Sequence, residues 1–170
     1  MPGAWDLLRI RQQRLLVVTV APPDLKVSMG WASAIRELQI PPRSDFMKVV
    51  GLPIAQSRNR ALVNALDGGY GGLLFIDADT VPPPNMPQLL LEAGRDVIAA
   101  NYFRRYPPFQ SAHSTLIRNE KGEQAGGPLP AHKIGDIVPV DFLATGATYY
   151  SRRAMEALRA NFRRPFEWGV

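Results

Sequence analysis

The chain contains no cysteine, and of its 170 residues only two are histidine, His113 and His132. That removes a disulfide framework, a thiol nucleophile and any thiolate metal site. It also removes a histidine-rich metal cluster. No apolar run approaches the roughly 20 residues needed to cross a bilayer. Residues 1–14 lack the apolar core and the cleavage site of a signal peptide, so a cytoplasmic protein is the expectation. There is no internal repeat and no low-complexity linker.

What remains has the size and the apolar content, 46% of residues, to build one domain with a real core. The formal net charge of +5 favours anionic partners. The basic pairs Arg104-Arg105, Arg152-Arg153 and Arg163-Arg164 are dispersed, so they do not form a nucleic-acid-binding tract. Solvated surface is their plain reading.

The most informative stretch is Leu73-Leu74-Phe75-Ile76-Asp77-Ala78-Asp79. Four large apolar residues read as a strand buried on both faces. Two carboxylates at the end of such a strand are costly unless something neutralises them. Side chains alternate along an extended chain, so Asp77 and Asp79 share one side. Two such acids suit a hard cation, Mg2+ or Mn2+, which in turn attracts phosphate. Alternatively the acids close the strand and open the turn at Thr80–Pro84.

Around that strand the pattern alternates. Residues 15–20 read as a buried strand stopped by Pro22-Pro23. Val27, Trp31, Ala34, Ile35 and Leu38 follow helical spacing, with Ser28 as N-cap, up to Pro41-Pro42. Residues 46–50 predict a second strand. Residues 57–66 predict a helix with Ala61, Leu62, Ala65 and Leu66 inward, ended by Gly68-Gly69. A short helix over residues 4–13 is expected ahead of all this. Strand–helix alternation predicts a mostly parallel sheet with helices on its faces. Ligands then bind beyond the carboxyl ends of the strands, where the loops at 21–24, 51–57 and 77–79 converge.

The second half is less regular. Residues 85–93 predict a short helix and 97–100 a short strand. Residues 101–133 read as an extended loop. Residues 137–150 regain strand character, with a turn at Thr145-Gly146-Ala147, and Ser151 caps a helix over 152–160.

The stretches VVTVAPP, IAQSRNRALVNAL, LLFIDADTVPPPN, VIAANYFRRYPP and VDFLATGATYYSRRAMEAL, in this order and spacing, resemble the GT-A glycosyltransferases, especially the family-two-like enzymes. The resemblance covers about residues 15–160. It implies a single GT-A-like (Rossmann-like) domain with a nucleotide-binding half over about 1–100 and an acceptor half over about 101–170. It implies a nucleotide-diphosphate sugar as donor, an acceptor the sequence does not name, and Mn2+ or Mg2+ as cofactor. Asp79 would ligate the metal, and Asp77 would support it or contact the ribose. Ala21, Pro22 and Pro23 would line the nucleotide pocket. Arg58 and Asn59 match the helix-start pair that faces the nucleotide; read alone, they are a surface arginine and a turn-capping asparagine. Tyr102 and Arg104 would lie beside the donor sugar. Asp141 and Gly146 would shape the acceptor side, with Asp141 as candidate base; read alone, Asp141 is a solvated strand residue.

The resemblance also implies a further acidic pair after the last helix, which includes the base, and a later His or Asp on the metal. The sequence stops at Val170, and Glu167 is the one acid after Glu156. The C-terminal part of the fold is therefore expected to be missing. Two other readings accompany the transferase. One is a nucleotide-sugar-binding module that does not transfer sugar. The other is a haloacid-dehalogenase-like phosphatase, although the usual Gly and Thr after the second Asp are absent. The three tryptophans, Trp5, Trp31 and Trp168, are read as packing residues. His113 and His132 fall in a polar loop and are not assigned as ligands.

Overall fold

The computed structural model describes residues 13–21, 24, 27–103, 106–118, 122, 124–162 and 166. Seven strands and four helices follow in the order β1 (Leu15–Ala21), α1 (Met29–Glu37), β2 (Asp45–Val50), α2 (Ile54–Asp67), β3 (Gly72–Ile76), α3 (Met86–Glu92), β4 (Val97–Ala99), β5 (Thr115–Arg118), β6 (Gln124–Gly127), β7 (Ala147–Ser151) and α4 (Arg152–Asn161). The helix expected over 4–13, apart from Gln13, and the residues Pro22, Pro23 and Arg104 lie outside the described residues.

Five strands form one sheet in the order β2-β1-β3-β7-β4. β1 pairs in parallel with β2 and β3, whereas β7 runs antiparallel to both of its neighbours, β3 and β4. The sheet is thus mixed rather than mostly parallel. The reason lies in the loop before β7. Gly146 reaches the carboxyl end of β3, where its carbonyl accepts the Asp77 N–H at 2.8 Å. A strand that begins where β3 ends has to run back along it.

Alternation sorts the apolar residues of β1 and β3 onto two faces. Leu16, Val18, Leu73 and Phe75 pack with α2 and α4 through Ala61, Leu62, Ala65 and Met155. Leu15, Val17, Leu74 and Ile76 pack with α3 and the end of α1 through Met86, Leu90, Leu91 and Leu38. Every residue of β1 and β3 is buried. At about 1.5–3 kcal/mol per large apolar side chain, these two strands dominate the cohesion of the sheet.

The helix starts follow local chemistry. The Ser28 hydroxyl accepts the Trp31 N–H at the start of α1, and Ser151 accepts the Ala154 N–H at the start of α4. Such caps contribute about 1 kcal/mol each. Gly69 takes a positive φ of 69° just past α2, a conformation that disfavours a Cβ.

Two expectations for the second half change. The stretch 101–133 carries a two-stranded hairpin, β5 with β6. The strand expected over 137–150 is confined to 147–151; before it, Phe142 makes only an isolated bridge with Ser114. Pro139 interrupts the ladder there, and Ile137, Val138 and Val140 line a cavity instead of pairing.

Candidate functional site

The carboxyl ends of β1, β2 and β3 meet at one edge, because Ala21 lies opposite Val50 in a parallel register. Ala21 is buried there, and its carbonyl accepts the Gly51 N–H at 3.4 Å. β3 delivers Asp77 and Asp79 to the same edge. The carbonyl of Asp77 accepts the Thr80 N–H at 3.0 Å and the Trp31 indole N–H at 3.2 Å. Together with the bond from its own N–H to Gly146, these fix the backbone of the acidic loop from three sides.

α2 supplies the counter-charge. The Arg58 guanidinium donates to the Asp77 carboxylate at 3.2 and 3.5 Å. The two side chains are 14% and 31% exposed, so the pair is largely screened from water. Arg58 also stands over the Phe75 ring, 5.8 Å from its centroid. Burial pushes the Asp77 carboxyl above its ordinary pKa, Arg58 pulls it back, and the charge of Asp79 pushes it up again. Asp79 is therefore electrostatically close to Asp77, yet exposed to solvent.

Tyr102 completes the group from the loop after β4. Its hydroxyl accepts the Gly146 N–H at 2.9 Å. Burial raises the Tyr102 pKa, the Gly146 bond lowers it, and the charges of Asp77 and Asp79 raise it while Arg58 lowers it. A Cβ on Gly146 would meet the Tyr102 hydroxyl at 2.6 Å, so this approach requires glycine.

Asn59 lies next to Arg58 but faces differently. Its side-chain oxygen accepts the Phe166 N–H at 3.2 Å. The Phe166 ring meets Phe75 and Tyr150 edge to face, with centroids 5.8 and 5.9 Å apart. Among the described residues, neither the Arg58 Nε–H nor the Asn59 amide nitrogen, both buried, has an acceptor.

Arg58, Asp77, Asp79, Tyr102 and Gly146 thus belong to one cluster. Asp141 is placed otherwise. It lies on no strand; its carboxylate accepts the Leu116 N–H at 2.7 Å and its N–H donates to the Ser114 carbonyl, which ties it to the hairpin. Two participants escaped the sequence reading. Trp31 was read as packing, and its indole N–H in fact holds the acidic loop. Phe166 carried no signal, sitting in a short segment without apolar periodicity.

Among the described residues no group of three or more His, Cys, Asp or Glu gathers to cage a metal. Asp77 and Asp79 stand as a pair of acids, the first engaged by Arg58 and the second exposed.

No family model matches this sequence, and no curated protein is similar to it. A solved structure described as A197 from STIV is similar in fold, with a TM-score of 0.56 over 88% of this chain and 69% of that one. At 17% identity the likeness concerns the fold alone. Both the comparison and the coordinates support a mixed α/β domain with helices on a five-stranded sheet. No helix among the described residues is long and apolar enough to cross a membrane.

Proposed function

We propose that this chain is a GT-A-like glycosyltransferase that holds a nucleotide-diphosphate sugar at the carboxyl edge of β3, for transfer to an acceptor. The observation that carries the reading is the convergence of Arg58, Asp77, Tyr102 and Gly146 from four separate segments beside the exposed carboxylate of Asp79. Sites in α/β sheets form at this edge.

Two carboxylates suit a Mg2+ or Mn2+ ion that takes its remaining ligands from phosphate and water, since such ions commonly use one or two protein acids with a substrate diphosphate. Asp79, the exposed acid of the pair, is assigned to direct ligation. Asp77, paired with Arg58, is assigned to orient that loop and to meet the ribose. The metal, when bound, offsets the negative charge that grows on the departing nucleoside diphosphate. The protein's own part is to fix the geometry: Trp31 and Thr80 hold the Asp77 carbonyl, and Tyr102 holds Gly146. The buried N–H groups of Arg58 and Asn59 add donors without acceptors. Leaving such a donor unpaired costs about 1–3 kcal/mol, a cost that a ligand oxygen would remove.

The test is calorimetric titration with UDP and with GDP, each with Mn2+ and with EDTA. Binding of at least one nucleotide that depends on metal supports the reading. Binding of neither in metal, or binding indifferent to EDTA, overturns it. Release of sugar from a panel of nucleotide sugars then separates a transferase from a binding module.

A further inference from the structure

A cavity of about 670 Å³, lined by none of residues 77–79, lies between the edge strand β4 and residues 129–143. Its size suits a small organic molecule, and such sites are mostly apolar with a few placed polar groups. Val97, Ile98 and Ala99 of β4 line it together with Val138, Val140 and Leu143. The last three belong to the stretch whose sequence promised a longer strand. They line this space and have no ladder partner among the described strands.

The polar members of the lining differ in how free they are. His113 is 5% exposed and fully committed: its Nδ1 accepts the Ala144 N–H at 3.1 Å, and its Nε2–H donates to the Ala100 carbonyl at 3.0 Å. It is a fixed part of the lining, braced by the Tyr102 ring at 5.4 Å. His132 likewise donates from Nδ1 to the Pro130 carbonyl at 2.8 Å. Asp136 uses one carboxylate oxygen on the Lys133 N–H of its own turn. Arg95 is different. It is an exposed guanidinium on the lining, and none of the ion pairs seen among the described residues engages it.

We propose that this cavity binds a small amphipathic anion, its apolar body against Ile98, Val138 and Leu143 and its acidic group on Arg95. Burial of the apolar body supplies most of the affinity, and the guanidinium selects the sign of the head group. The occupant does not use the acidic loop, so the site stands apart from the nucleotide-binding reading.

The probe is 8-anilinonaphthalene-1-sulfonate, an aromatic body with one acid, followed by fluorescence and displaced by decanoate, decanol or decylammonium. One saturable class of sites is expected, with decanoate the best competitor. Arg95→Glu, a change at an exposed position, should weaken decanoate about two- to fivefold or more while leaving decanol within about twofold, the range expected for an exposed charge contact. Val138→Trp, checked for folding by circular dichroism, should fill the cavity and abolish the signal. Fluorescence that persists unchanged in folded Val138→Trp overturns the site. Decanol or decylammonium competing as well as decanoate, or decanoate indifferent to Arg95→Glu, overturns the anionic occupant. Absence of saturable probe binding by the unmutated protein, with metal-dependent nucleotide binding intact, defeats this inference alone, and the reverse result defeats only the nucleotide reading.

Discussion

The Tyr102 hydroxyl accepts the Gly146 N–H, and Gly146 in turn accepts the Asp77 N–H. One short relay therefore joins the loop after β4, the turn before β7 and the acidic end of β3. Tyr102→Phe removes the acceptor and leaves a buried N–H unpaired. It should cost about 1–3 kcal/mol of stability, read as a lower denaturant midpoint at unchanged m-value. Gly146→Ala attacks the same relay by bulk. It should displace Tyr102 and weaken nucleotide binding more than it lowers stability. Wild-type binding by either variant would show that the relay does not shape the site.

Arg58→Gln should destabilise the fold by about 1–3 kcal/mol. Removing one partner from a buried pair costs about 3–5 kcal/mol, and the partial exposure of Asp77 reduces that figure. The same change should raise the Asp77 pKa further, because the arginine is what pulls it down. Proton NMR titration of the Asp77 carboxyl checks the second half of this prediction.

The pH dependence of stability separates Asp77 from Asp45. The Asp77 pKa is raised in the folded state, so the folded state binds the proton more tightly than the unfolded one. Stability linked to Asp77 is then largest at low pH and declines as pH rises from the unfolded value through the folded one. The parent should lose stability relative to Asp77→Asn across that window. Asp45 is the opposite case. Its pKa is lowered, first by the Tyr70 hydroxyl and then by Arg14, so its contribution is present above the unfolded value and is lost on acidification. Asp45→Asn should flatten the acid limb of the profile. Matched denaturation curves between pH 3 and pH 8 decide both signs.

Asp79→Asn should abolish metal-dependent nucleotide binding while leaving the melting temperature equal to or above that of the parent. An amide keeps the shape but is a poor ligand for a hard cation, and its neutrality relieves the repulsion on Asp77. Retained binding with Mn2+ would remove Asp79 from the site.

Phe166→Ala should cost about half of the ~3–5 kcal/mol typical of a fully buried phenylalanine, since this ring is partly exposed. It also withdraws the ring edge from Phe75, on whose other neighbour, Arg58, the acidic pair depends. Nucleotide affinity should therefore fall with Phe166→Ala and recover with Phe166→Leu if packing is the cause.

The elements between residues 15 and 92 were largely legible. Strands 15–21 and 72–76 are apolar runs bounded by proline or glycine, and the Ser28 and Ser151 caps announced two helices. Asp77 and Arg58 were legible because a charge at the end of a buried strand needs a partner. The second half was not legible, for physical reasons. β6 is Gln-Ala-Gly-Gly and has no apolar alternation, while β5 is mostly exposed, so the hairpin left no periodic trace. Residues 137–143 are mostly apolar like a strand, yet Ile137, Val138, Val140 and Leu143 line a cavity, and an apolar run looks the same whether it meets a sheet or a hollow. Asp141 inherited that misreading, having been assigned to a strand that stops short of it.

The placement of β7 has a kinetic consequence. It lies between β3 and β4 in space, yet it is the last of the described strands in sequence: Ile76 pairs with Ala147, and Ala99 with Thr148. During synthesis β3 and β4 leave the ribosome with facing edges that have no ladder to bind. The chain must hold those edges open across a long intervening loop until residue 151 has emerged. Such distant pairings raise contact order and slow folding, and unpaired edges are sticky in the meantime. Substitutions in β7 should therefore lower the yield of soluble protein during expression by more than their effect on the finished fold would suggest.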